Sequence, residues 1–300
     1  MYTLFQMVVE CSFKAKVSGY SMKILLKIRY ICTLNNSIME KIFILYSIVL
    51  VYNIFAVFSF FNKLISVETK RWSTTLSTFQ IIYLFPRTIG VFQIPLITLY
   101  TESAINSKEK IAITFYQGII LFNSFGLIIG TLLLPFFVKS LKEIILNIYA
   151  KDSFKNQFFQ SLRNFFKLDN YATFFSEFKL FKFYDKKIFL NDTFSTYLMV
   201  IAFPACILAG YQIPAYRATI ISLVSIIYGV SSTISVLYIE TKISLLTDKS
   251  FHSQIELHHY KAMLFDCLKG KILGTLIGVI TLPFVAEILV YIFKLIIRFS

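Results

Sequence analysis

The chain has 300 residues, of which 57% are hydrophobic and only 15% are charged, and its formal net charge is +14. Ordinary soluble domains carry about 25% charged residues, so this composition excludes a chain that folds as a water-soluble domain. Nucleic acid is excluded as a partner as well, because binding it needs a solvated basic domain that the sequence lacks.

Residues 1–40 are predicted to be a basic N-terminal extension that precedes a single transmembrane domain at 41–300. Within the extension, residues 22–32 place Lys and Tyr roughly on one side of a helix and Ile and Leu on the other. This pattern predicts a helix lying in the membrane interface, with an internal targeting element as the alternative. No cleavable secretory signal is expected, because the first thirteen residues carry no basic group.

Five apolar runs are long enough to supply membrane-spanning helices, since crossing the hydrocarbon core takes about 20 apolar residues. They are 42–62, 72–101, 111–138, 193–239 and 272–297. Their residues do not alternate as barrel strands do, and only helices or closed barrels satisfy the backbone inside a bilayer. The predicted fold class is therefore an all-α, polytopic transmembrane bundle. The longest run allows one crossing or two, which leaves five or six spans.

The connector at 139–192 is the longest segment between the apolar runs. At about 150–183, Phe and Leu recur at helical spacing with basic residues displaced around the axis, which predicts an amphipathic helix on the bilayer surface. The basic excess of the connecting segments is typical of contact with anionic lipid head groups.

Charges inside the apolar runs are candidates for substrate or lipid contact, because each costs about 2.5–3.5 kcal/mol at the bilayer centre. Lys294 lies close to a helix end, which leaves Arg87, Arg217 and Glu287. Snorkelling to the interface is the alternative for each, and a structural pairing is favoured for Glu287. The six prolines are predicted helix kinks: Pro86, Pro95, Pro135, Pro204, Pro214 and Pro283.

Enzymatic chemistry finds little support in the sequence. His252, Glu256 and His259 would share one face of a helix, as metal ligands do, but only one copy exists and no second carboxylate pair accompanies it. We therefore interpret them as a solvated or interfacial helix face and predict no metal site. No phosphate-binding loop or dinucleotide fingerprint is present, so neither a cofactor nor an enzyme is expected. The four cysteines form no CxxC pair and are expected to behave as small buried hydrophobes.

Internal similarity suggests a repeat. Residues 126–136 recur at 274–284 with matching Gly, Ile, Leu, Pro and Phe positions, and residues 77–86 recur at 195–204. The unit would be a helix with two prolines followed by a helix with close-packing glycines and one kinking proline.

The phrases GLIIGTLLLPFFVKSLK, GTLIGVITLPFVAEIL and FPRTIGVFQIPLITLYTES resemble helices of the mitochondrial carrier family, over roughly residues 41–297. The resemblance implies helix pairs joined by amphipathic surface helices and a mitochondrial inner membrane location. It also implies an acid two residues after each kinking proline and a base five residues after it, which form a closing ring of ion pairs. The corresponding residues here carry no charge: Phe137 and Ser140, then Val285 and Ile288.

Without that ring, the predicted function is a non-enzymatic, carrier-like structural or accessory subunit of a mitochondrial inner-membrane complex, such as one of the respiratory chain. One alternative is a divergent solute carrier for a small anionic metabolite, and another is an unrelated polytopic receptor or membrane subunit. The expected partners are the lipid bilayer and other subunits. A parallel repeat needs an odd number of spans between the helices of Pro135 and Pro283, so six spans would exclude it.

Overall fold

The computed structural model describes residues 22–106, 113–147, 174–175 and 183–299, and all regular secondary structure within them is helical. The chain divides into two compact units, Met1–Ser47 and Ile48–Ser300. The packing described below is that of the second unit.

The described residues form seven α-helices. In chain order they are α1 (Met22–Thr69), α2 (Trp72–Asn106), α3 (Ile113–Asn147) and α4 (Lys186–Gln212), then α5 (Arg217–Ile234), α6 (Thr241–Phe251) and α7 (Leu257–Phe299). A 3₁₀ turn, Pro214–Tyr216, precedes α5, and a π-helical turn, Ser235–Glu240, joins α5 to α6 without a break.

Within the described residues, six stretches are long and apolar enough to cross a membrane, so the chain is an integral membrane protein in contact with the lipid bilayer. They are Ile42–Thr69, Trp72–Ser103, Ile113–Leu146, Lys186–Gln212, Pro214–Phe251 and Leu257–Arg298. The longest apolar run contains two of these crossings. The chain reverses direction at the 3₁₀ turn. Pro214 is the first residue of this turn, where the N–H group that proline lacks would have no helical partner in any case.

The second crossing in that run contradicts the predicted parallel repeat, which needs α3 and α7 to run in the same direction. Ser124 on α3 donates to Thr275 on α7 at 2.8 Å, while Gln117, earlier on α3, donates to the carbonyl of Val279, later on α7, at 3.1 Å. The two helices are therefore antiparallel, and the expectation that Pro135 and Pro283 end on the same side is wrong. Mitochondrial-carrier-like repeats are not shown.

Glycines bring the helix backbones into direct contact. A Cβ atom at Gly126 would lie 2.6 Å from the carbonyl oxygen of Leu50, which shows how closely α3 approaches α1. A Cβ at Gly274 would lie 2.5 Å from the carbonyl oxygen of Thr193, so α7 approaches α4 equally closely. Small residues are the usual means of helix packing in a bilayer, where burial alone provides little driving force.

The densest core lies where α1 and α3 end and α4 and α7 begin. Phe61 and Phe265 are both fully buried there, with ring centroids 5.3 Å apart. Phe174 and Phe175 pack against Phe265. These two residues belong to the predicted amphipathic segment 150–183, most of which lies outside the described residues.

The remaining predictions about local structure have mixed outcomes. Five of the six prolines lie inside helices, two of them in α2, whereas Pro214 opens the turn between α4 and α5. Helix α1 begins at Met22 and continues through the predicted domain boundary at residue 40. Cys206 and Cys267 are buried as expected.

Candidate functional site

Four charged side chains from four elements meet at one end of the bundle, and we call them the inner charge cluster: Lys63, Asp192, Glu240 and Lys271. Each is the charged residue next to the end of an apolar run. Lys63 on α1 pairs with Glu240 at the end of the π turn, and Lys271 on α7 pairs with Asp192 on α4. The cluster therefore links both early and late helices at the level where the apolar zone begins.

The Asp192–Lys271 pair is the more buried of the two. The Nζ of Lys271 lies 2.8 Å from Oδ1 of Asp192, whose side chain is only 1% exposed, against 28% for Lys271. The ring of Phe60 lies beside this pair, with its centroid 5.3 Å from the ammonium of Lys271. Breaking a buried pair of this kind is strongly destabilising, because it leaves the other charge without compensation.

Further ion pairs surround the cluster on the side facing away from the apolar zone. Asp266, 1% exposed, accepts the N–H groups of Tyr184 and Asp185 on Oδ2 and the ammonium of Lys269 on Oδ1. Its hydrogen-bonding capacity is therefore used on both oxygens, and the carboxylate holds the start of α4 against α7.

Asp185 caps the N-terminus of α4. Its Oδ1 accepts the N–H groups of Lys187 and Ile188, and its Oδ2 pairs with Lys242 of α6. Burial disfavours the charged carboxylate, but the Lys242 ammonium and the two backbone donors outweigh it and hold the pKa of Asp185 below its usual value. A carboxylate at this position is also favoured by the helix dipole.

The opposite end of the bundle has its own ion pair. Arg217, one of the predicted contact residues, lies at the start of α5 and approaches Glu102 near the end of α2 at 3.6 Å. Nearby, the hydroxyl groups of Thr101 and Tyr116 are 2.5 Å apart and join α2 to α3. Arg217 is thus placed at the edge of the apolar zone with an acidic partner.

Arg87 lies near the middle of α2, 15 residues from Glu102, or about 22 Å along the axis. It belongs to a set of exposed polar residues on one face of this helix, which we call the α2 polar stripe: Ser73, Ser77, Gln80, Arg87 and Glu102. Helix α2 is also the least buried of the six spans, with 12% of its apolar window buried against 61% for α4.

The predicted contact residues are not brought together. Arg217 is paired at one end of α5, Arg87 is exposed halfway along α2, and Glu287 is exposed on α7. Within the described residues, neither Arg87 nor Glu287 has an ion-pair partner.

The predicted His252–Glu256–His259 face is not formed, because α6 ends at Phe251 and α7 begins only at Leu257. Ser253 adopts a left-handed backbone conformation between them, with φ of 59°. Instead, side-chain ligand atoms of Glu256, His258 and His259 lie within 4.8 Å of one another at the start of α7.

The inner charge cluster was missed from the sequence because a charge at the end of an apolar run is normally solvated or interfacial. The available signal was that Lys63, Asp192, Glu240 and Lys271 each border a run, with two charges of each sign among them. Their pairing, across up to 177 residues of chain, is visible only in the fold.

These features define a polytopic α-helical membrane protein with ion-paired charges inside its bundle and an exposed polar stripe along one span. The sequence profile of a known family, described as "Amj: Alternate to MurJ", matches residues 48–293. The match covers well over half of the chain, so the protein belongs to the Amj family. No curated protein and no solved structure matches the chain.

The family overturns several predictions made from the sequence. The resemblance to the mitochondrial carrier family is wrong, and so is the accessory-subunit function in a mitochondrial inner-membrane complex. The integral membrane location is confirmed, whereas the mitochondrial one is not supported. Paired prolines and glycines in apolar helices carried the resemblance, and any closely packed membrane helix can have them. Of the three predicted functions, the solute carrier comes closest to the family, without matching it.

Proposed function

We propose that the protein is a flippase of a bacterial membrane, which moves a lipid-linked substrate with an anionic head group from one leaflet to the other. The family description, an alternate to MurJ, supports a role in lipid-linked substrate transport. The observation that carries the proposal within this chain is the α2 polar stripe, with Arg87 at its centre.

A flippase must conduct a polar head group through the apolar zone while the lipid tail stays in the bilayer. Such a path needs polar side chains that are accessible from the side, along the length of a span. The α2 polar stripe has this form, because its members are exposed and recur on one face from Ser73 to Glu102. Leu84 and Val91 on the same face would suit contact with the tail.

Arg87 is the residue best placed to hold the head group. An exposed guanidinium midway across a bilayer costs about 2.5–3.5 kcal/mol unless water or an anion accompanies it. A phosphate group would satisfy it with two parallel hydrogen bonds, the geometry for which Arg is preferred over Lys. The absence of an acidic partner among the described residues leaves Arg87 available for this role.

Helix α5 would form the opposite wall of the path. It is joined to α2 by Glu102–Arg217 at one end, and its continuation into the π turn is joined to α1 by Lys63–Glu240 at the other. Between these pairs, a Cβ atom at Gly90 of α2 would lie 3.1 Å from the ring of Tyr52, so α1 packs against α2 three residues from Arg87.

Lipid contact outside the path is a further part of the proposal. Lys294 and Arg298 are exposed near the end of α7, where cations favour anionic lipid head groups. Association with other subunits stays a prediction.

The test is head-group translocation by the purified protein in vesicles. The probe is an isoprenoid phosphate-linked sugar with a fluorophore on the sugar, and an impermeant reductant bleaches the fluorophores that face outward. Vesicles that contain an active flippase should lose nearly all fluorescence, whereas protein-free vesicles keep the inner-leaflet fraction. A fluorescent phosphatidylethanolamine serves as the control for non-specific scrambling.

Arg87→Ala should slow translocation by about 10- to 100-fold, because a hydrogen bond to a charged group contributes roughly 1.5–3 kcal/mol. Arg298→Ala is the matched control and should flip the probe at the unaltered rate, since it removes an exposed Arg outside the stripe. The proposal fails if the unaltered protein does not move the probe, or if both substitutions have the same effect. Exchange of labelled soluble anions without probe movement would favour the solute carrier instead.

A further inference from the structure

Asp192 has an unusual environment for a carboxylate inside a membrane bundle. Oδ1 accepts the ammonium of Lys271 at 2.8 Å and the hydroxyl of Thr196 at 3.4 Å. Oδ2 is equally buried, yet it has no hydrogen-bond partner among the described residues. A buried carboxylate oxygen without a donor is costly, and this cost falls on the charged form of the carboxyl group.

Close packing of two helices holds the backbone at Asp192. Asp192 lies where α4 and α7 are in backbone contact, with Gly270 and Gly274 on either side of Lys271 in sequence. A Cβ at Gly270 would lie 2.8 Å from the carbonyl oxygen of Phe189 and 3.2 Å from the Cβ of Asp192 itself. The carboxylate therefore starts from a fixed point between the two helices.

Asp266 provides an internal comparison. It is as buried as Asp192, lies on α7 five residues before Lys271, and also pairs with a lysine. Its second oxygen, however, accepts two backbone N–H groups, from Tyr184 and Asp185. Among the described residues, both carboxylate oxygens of Asp266 therefore have hydrogen-bond donors, whereas only Oδ1 of Asp192 has them.

The charged and titratable groups that face Asp192 come from three elements. Lys271 and Cys267 lie on α7, Glu240 ends the π turn, and Lys63 of α1 reaches the cluster through Glu240. Glu240 also interacts electrostatically with Lys271. Lys271 therefore has two acidic neighbours: it contacts Asp192 and interacts electrostatically with Glu240.

We propose that Oδ2 of Asp192 is a proton-binding site, and that protonation there releases Lys271 toward Glu240. The proton comes from water on the side of the inner charge cluster and returns to water when Lys271 pairs with Asp192 again. A proton is the ligand that fits, because it neutralises the buried carboxylate, whereas a metal cation would share that carboxylate with the ammonium on Oδ1.

Protonation of Asp192 would drive the movement of the lipid-linked substrate between the leaflets. This step rests on the proposed flippase function. A Lys271 that moves toward Glu240 competes with Lys63, and the Lys63–Glu240 pair is the contact that ties α1 to the π turn. Loosening that pair would open the bundle at this end, while Glu102–Arg217 keeps the opposite end closed. A single protonation would thus favour access from one side of the membrane.

Infrared spectroscopy of the full-length protein in nanodiscs tests the proton site without any transport assay. Acidification should produce the C=O stretching band of a protonated, buried carboxyl group. The band should be lost in Asp192→Asn and kept in Asp266→Asn and in Asp248→Asn, which alters an exposed residue. Lys271→Gln should move its titration to higher pH by about 1–3 units, because the stabilising opposite charge is gone.

Translocation of the fluorescent isoprenoid probe under an imposed pH gradient tests the coupling. The unaltered protein should flip the probe about tenfold faster in one direction of the gradient than in the other. Asp192→Asn should flip it at one rate in both directions. A band that survives in Asp192→Asn, or flipping that ignores the gradient, overturns the inference and leaves the flippase proposal intact. No flipping by the unaltered protein, together with a band that depends on Asp192, removes the proposed function but supports the proton site.

Discussion

Replacing Gly274 by Ala should separate α4 from α7 and destabilise the bundle. The new Cβ would lie 2.5 Å from the carbonyl oxygen of Thr193, 3.0 Å from the amide nitrogen of Tyr197 and 3.2 Å from the Cβ of Thr196. Carbon atoms pack best at about 3.5–4.0 Å, so the two backbones must move apart by about 1 Å. Overpacking of this kind typically costs about 1–3 kcal/mol.

Gly229→Ala is the matched control, because the structure places no atom within 4 Å of a Cβ at that position of α5. Ala is favoured over Gly inside a helix by up to about 1 kcal/mol, so this variant should be unchanged or slightly more stable. Both variants can be compared by thermal unfolding of the detergent-solubilised protein. A loss of about 2 kcal/mol corresponds to a melting temperature lower by roughly 4–8 °C. Equal melting temperatures for the two variants would refute the close α4–α7 contact.

Two further predictions concern the charged end of the bundle. Lys271→Met should destabilise the protein by up to about 3–5 kcal/mol at neutral pH, because it leaves the buried Asp192 carboxylate unpaired. Adding Asp192→Asn should recover most of the loss, since no buried charge then stays unpaired. Thermal unfolding of the single and double variants would show no recovery if the two residues do not interact. Asp185→Ala should cost roughly 1 kcal/mol through the lost cap of α4, and Asp185→Asn less, because Asn still accepts the backbone N–H groups. Since folding lowers the pKa of Asp185, its charge stabilises the protein above the ordinary Asp pKa of about 3.9, and that contribution disappears as the pH falls through the lowered value. The difference in melting temperature between the unaltered protein and Asp185→Asn should therefore shrink on acidification, and a constant difference would contradict the pairing with Lys242.

The membrane-spanning helices were predictable because length and apolarity decide them. Four of the five predicted apolar runs each overlap one described span, and the fifth, 193–239, is shared by two spans, a division that the sequence left open. That division depends on the turn at Pro214, which resembles the other intramembrane prolines in sequence. Whether a proline bends a helix or ends it is determined by the packing around it.

The candidate sites were predictable only in part. Arg87 and Arg217 are conspicuous as isolated charges in apolar runs, so the sequence singles out both as candidates, and their contact with a substrate stays a prediction. Asp192 and Lys271 border apolar runs, where a charge is ordinarily interfacial, and their contact joins residues 79 positions apart. Only the fold shows that these two charges turn inward, because the glycines beside Lys271 bring α7 against α4.

The misleading internal repeat has the same physical origin. Gly126 and Gly130 bring α3 onto α1, with hypothetical Cβ distances of 2.6 and 3.0 Å to the nearest atoms. Gly274 and Gly278 bring α7 onto α4, with distances of 2.5 and 3.0 Å. Both helices therefore need a pair of small residues one turn apart, within an otherwise apolar sequence. Because α3 and α7 are antiparallel, the shared phrase reflects this common packing requirement, and it cannot indicate a parallel duplication of the carrier type.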